Sequence, residues 1–106
     1  MEKKNELQVG KILLDISNTV FELGLQTLEI INQEMNDDIK IEQVNEALKV
    51  LTKTEQKVDA MDVAKIDKEA YEDFKKSINK VRDGLLENLF YLQKIRDLKN
   101  RLEELA

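Results

Sequence analysis

The sequence predicts an all-α protein: a three-helix up-down-up bundle with coiled-coil-like packing and a long C-terminal helix. Three observations predict it. Apolar residues recur at three- and four-residue steps through most of the chain, the period of helices that bury one face. The 106 residues include no proline, the strongest helix breaker. Two short stretches rich in Asn and Asp, Asn36-Asp37-Asp38 and Met61 to Asp67, interrupt the period with residues that compete for backbone hydrogen bonds and favour helix ends.

Helix 1 is expected over about 3–36. Leu7, Leu14, Phe21, Leu28 and Met35 fall seven apart on one line, with Val9, Ile16, Leu23 and Ile30 on a second and Leu13 and Val20 between. These lines span about half the circumference, wider than one coiled-coil seam, so helix 1 should touch two neighbours. Within this face runs a line of small residues, Gly10, Ser17 and Gly24, ending at Ile31. Glycine inside a helix costs about 1 kcal/mol relative to Ala, and two at this spacing suggest close approach of another helix. The opposite line reads Gln8, Asp15, Glu22, Glu29, an acidic ridge that is either a solvated face or a charged contact. Lys68, Lys75 and Arg82, also seven apart, are its expected complement.

Helix 2 is expected over about 39–62, capped by Asp37 or Asp38, with Ile41, Val44, Leu48, Leu51 and Val58 on its inner stripe. Glu55 interrupts that stripe, so the last two turns should be weakly held. Helix 3 is expected over about 67–105. Asp67 reads as its N-cap, with Ile66 and Tyr71 placed as a hydrophobic staple. The period then continues through Ala70, Phe74, Ile78, Val81, Leu85 and Leu89 to Leu105. Asp83-Gly84 resembles a turn and opens the alternative of a four-helix bundle broken near Gly84. The apolar phase passes that point unshifted, which favours one long helix.

The three lengths do not match. At 1.5 Å per residue they are roughly 50, 35 and 60 Å, and short loops force neighbours antiparallel. Helix 3 should therefore draw level with the end of helix 1 near residue 90 and leave its remaining apolar residues projecting, as Leu7 and Val9 should project at the other end. Leu89, Phe90, Tyr91, Leu92, Ile95, Leu98, Leu102 and Leu105 are accordingly the candidate oligomer or partner interface. Asp15, Glu22 and Glu29 are the candidate charged contacts.

The chain contains neither Cys nor His, which excludes thiolate and imidazole chemistry and zinc sites of the usual kind. The acidic pairs around Glu34 and Asp37, and Glu69 and Glu72, have the local spacing of a carboxylate-metal hydrolase. They fall at helix ends, where acidic residues serve caps and dipoles, so no metal ligand, cofactor or small-molecule substrate is expected. Net charge is −5, which disfavours nucleic acid. The one basic cluster, Lys94, Arg96, Lys99 and Arg101, is interleaved with Asp97, Glu103 and Glu104.

No apolar run approaches a membrane span, and no signal peptide is evident, so a cytoplasmic location is expected. Fourteen Lys against three Arg hint at an AT-rich bacterial or phage genome. The expected role is non-enzymatic: a single-domain module that forms a homodimer and binds another protein as an adaptor, chaperone or inhibitor. A self-assembling structural coiled coil is the alternative, and a carboxylate-metal hydrolase a more distant one.

Overall fold

The computed structural model describes the backbone of residues 2–105 and the side chains from Gln8 to Leu105. Among the described residues there are three α-helices, α1 (Glu2–Ile31), α2 (Asp37–Ala60) and α3 (Lys68–Leu105), with a 3-10 turn at Val63–Lys65 and no strand. The helices form a rod 70 Å long and 20 by 16 Å across. α1 and α3 run parallel, with α2 antiparallel to both. α3 is continuous through Gly84, so the four-helix alternative does not apply.

The core runs along the rod as one strip, with Leu13 and Val20 of α1, Val44, Leu51 and Val58 of α2, and Phe74, Ile78 and Leu85 of α3 all buried. Val63 closes one end of it, from the 3-10 turn. Thr27, also buried, satisfies its hydroxyl by donating to the Leu23 carbonyl at 2.7 Å.

The helix ends differ from expectation in ways that matter for the surface. α1 stops at Ile31 rather than near residue 36. Its last turn holds Glu29 and no basic residue, an unfavourable charge for the negative end of a helix dipole, and Asn32 follows. The cap of α2 is Asn36, whose side chain accepts from the Asp38 N–H at 2.7 Å. Asp37 and Asp38 lie inside the first turn, where their charge suits the positive end of the dipole. α2 ends at Ala60, and Asp62 takes up the left-handed conformation (φ 53°) that reverses the chain, a conformation Asp tolerates better than most residues. Asp67 caps α3 as expected, accepting from the Ala70 N–H at 3.0 Å.

Of the line of small residues in α1, Gly24 marks a close approach to α3 and Gly10 an ordinary contact. A Cβ on Gly24 would lie 2.9 Å from Val81 Cγ1, and one on Gly10 would lie 3.6 Å from Asp67 Oδ2. Ser17 between them is buried. These pairs fix the register, with Gly10 level with Asp67 and Gly24 level with Val81, which puts the end of α1 level with Asn88.

The overhang is shorter than the length mismatch implied. Leu92 is 6% exposed and belongs to the core, Leu89 packs against it, and Val9 does the same at the other end. Leu7 lies outside the residues whose side chains are described. α3 starts about a turn lower than expected, and residues 32–36 carry the chain upward before α2 begins. Arg96 and Lys99 then reach the first turn of α2, pairing with Asp38 at 3.5 Å and Asp37 at 2.7 Å. Only the last turn and a half of α3 extends beyond that clasp.

Candidate functional site

Of the eight residues expected to form an interface, Leu92 and Leu89 belong to the bundle and the other six are exposed. Tyr91, Ile95, Leu98, Leu102 and Leu105 lie on one side of α3, with exposures rising from 44% at Ile95 to 85% at Leu105. They fall on two lines of sevenfold spacing, Tyr91-Leu98-Leu105 and Ile95-Leu102, where side chains stack along a helix. Phe90 points elsewhere: its ring meets Tyr91 edge-on at 5.9 Å, and Lys94 Nζ sits 5.5 Å above it. With Leu86, also exposed, Phe90 forms a smaller apolar spot on the other side of α3.

Followed downward, the same two lines reach Gly84 and Asn88, which with Lys80, Val81 and Leu85 form one wall of a shallow trough between α3 and α1. Phe21, Gly24, Leu25 and Leu28 form the other. The trough encloses about 210 Å³ and is open at Gly84, where a Cβ would meet nothing within 4 Å. Leu25 is 62% exposed and Leu14, one face-line further down, 60%. Leu14, Phe21, Leu25 and Leu28 share a stripe about 60° wide on α1, on the far side of the helix from Ile16 and Leu23; the whole apolar face is wider than two neighbours cover, which leaves this stripe exposed.

A larger groove, about 440 Å³, lies between α1 and α2. Ile16, Leu23 and Val50 supply its apolar walls, and Asp15 and Glu22 stand on its rim. Among the described residues no ion pair involves Asp15, Glu22 or Glu29. The basic residues expected to answer them point the other way. Lys75 and Arg82 face α2, and Lys68 pairs with Glu72 one turn along α3.

The object they face is Glu55. Its carboxylate accepts from Lys75 at 2.9 Å and from Arg82 at 2.9 Å, and Lys75 also reaches Asp59 at 3.4 Å. The Tyr71 hydroxyl donates to the other oxygen of Asp59, and Lys75 Nζ lies 5.5 Å from the Tyr71 ring. The hydrogen bond from Lys75 holds the Glu55 carboxyl below its usual range, and the one from Tyr71 does the same for Asp59. The partners move the opposite way: Glu55 raises Lys75, and Asp59 raises Tyr71. Glu55 thus clamps the last turns of α2 to α3, where the sequence suggested a weak point. Every polar group in the cluster is engaged by another, so it reads as a fastening rather than a reaction centre.

The acidic pairs weighed as metal motifs are far apart. Glu34 lies in the α1–α2 connection and Glu69 and Glu72 in the first turns of α3, at opposite ends of the rod. Among the described residues no group of three or more carboxylates is placed to hold a metal ion, and no helix is long and apolar enough to cross a membrane. No known protein family, curated protein or solved structure matches the chain.

Proposed function

We propose that the chain is a non-enzymatic protein-interaction module that associates through the exposed apolar side of α3 and forms a homodimer. The observation that carries this reading is the uninterrupted exposed series Tyr91, Ile95, Leu98, Leu102 and Leu105. Fully burying a Leu or Ile is worth about 1.5–3 kcal/mol, and contiguous apolar patches of this kind mark association surfaces. The clasp of Arg96 and Lys99 on α2 holds the base of this segment in place, so it is presented as a formed helix and little ordering cost remains on binding.

The test is the pair of substitutions Leu98→Glu and Leu102→Glu, followed by light scattering and far-ultraviolet circular dichroism. Dissociation to monomer with the helical signal kept supports the reading. An unchanged oligomer removes the α3 surface from it.

A second contact, with a foreign protein, is favoured by the α1–α2 groove. Its apolar floor and its acidic rim, Asp15 and Glu22 with Glu29 beyond, which no ion pair engages among the described residues, suit an amphipathic helix with basic flanks. Such binding would weaken as salt is raised from low to physiological ionic strength, whereas association through α3 would not.

A further inference from the structure

The apolar side of α3 and the trough between α1 and α3 belong to one face, and this decides how two copies would meet. Because α1 and α3 run parallel with Gly24 level with Val81, the trough is centred level with Gly84. The ridge made by Tyr91, Ile95, Leu98 and Leu102 continues along the same two sevenfold lines, centred near Leu98. Ridge and trough are thus collinear and about 21 Å apart, fourteen helical residues.

We infer that this face binds a second copy of the chain in antiparallel fashion, the ridge of each α3 seated in the α1–α3 trough of the other about a two-fold axis near Tyr91. The inference rests on the proposed self-association and adds its geometry. A two-fold axis across the rod exchanges the level of Gly84 with that of Leu98, so each projection meets a depression. An axis along the rod would set ridge on ridge and leave two facing troughs empty, and the loss of contact at such voids disfavours it. An isologous interface needs one self-complementary patch, and this face supplies both halves.

The area fits. At the exposures of Phe21, Leu25 and Leu28 on α1 and of the four ridge residues, and roughly 200 Å² for each whole residue, the face offers about 700 Å², close to the roughly 800 Å² that one partner contributes to a standard interface. In this arrangement Leu28 and Leu25 lie opposite Leu98 and Leu102 of the second copy.

The chain has no cysteine, so single introduced thiols report on geometry without interference. Copies carrying Leu25→Cys are mixed with copies carrying Leu98→Cys, both at exposed positions, and treated with a short bis-maleimide. The expected product is the mixed cross-link, with little joining of Leu98→Cys copies to one another. Dominant cross-linking between two Leu98→Cys copies would overturn the antiparallel arrangement while leaving self-association intact. A chain that is monomeric by light scattering would remove both.

Gly84→Gln gives an independent check. A Cβ at Gly84 meets nothing within 4 Å, so the single chain accommodates the change, yet the side chain occupies the trough. Dimerisation should weaken tenfold or more with helical signal unchanged. A dimer of unaltered strength would show that the trough receives nothing.

Discussion

Glu55 and Arg82 meet across the α2–α3 interface at 2.9 Å, each less than a quarter exposed, and Lys75 closes on the same carboxylate from one side. One acidic residue on the inner stripe of α2 thereby ties two turns of α3. Glu55→Ala leaves both cations without this partner and should cost about 1–2 kcal/mol, between an exposed ion pair and a charged hydrogen bond in a dry interior. Urea unfolding checks it; a change under about 0.3 kcal/mol, within the range of exposed surface pairs, would mean that water already screens the clamp.

The same cluster sets the response to pH. Glu55 and Asp59 are held below their free values of 4.5 and 3.8, by Lys75 and Tyr71 first. A carboxyl with a depressed folded pKa contributes stability that is complete above the unfolded value and is lost as pH falls through the folded one. Stability should therefore decline below pH 4.5, and Glu55→Gln should flatten part of that decline. Lys75 and Tyr71, raised from 10.5 and 10.0, by Glu55 and Asp59 first, contribute stability that is present below those values and is lost as pH rises through the folded ones. Melting temperature followed against pH, at one protein concentration, measures both limbs. An acid limb identical in the wild type and Glu55→Gln would break the link.

Two glycines in facing helices should respond in opposite directions. Gly24→Leu drives a side chain into Val81, whose Cγ1 stands 2.9 Å from the nearest Cβ position, and overpacking of this kind costs about 1–3 kcal/mol. Gly84→Ala meets open space and removes the helix penalty of glycine, a gain of about 1 kcal/mol. Denaturant midpoints at a concentration where association is negligible separate the two. Equal effects would mean that helix propensity alone governs both positions.

How much of this was legible beforehand depended on whether a residue's neighbours could be inferred from its own helix. Asp67 and the close approach at Gly24 were readable, because capping and close approach leave local signatures of residue type and period. Glu55 was not. An acidic residue on an apolar stripe looks like a fault until Lys75 and Arg82, 20 and 27 residues away, are placed opposite it. The pairing of those cations with α1 was inferred from matching sevenfold spacing, which fixes a face on each helix but not which neighbour that face meets. Leu92 was misplaced for a third reason: its burial depends on the levels at which three helices start and stop, and an error of a few residues in where α2 and α3 start moved the predicted edge of the core by a turn. The exposed character of Ile95, Leu98, Leu102 and Leu105 survived that error because they lie beyond it.

If the exposed side of α3 brings two chains together, the mass of the unaltered protein by sedimentation equilibrium, followed across a hundredfold range of concentration, will show it. The expected result is a reversible shift from the 12.4 kDa chain to twice that mass, insensitive to salt. A single species at the mass of one chain throughout, with Leu98 and Leu102 left in water, would contradict it.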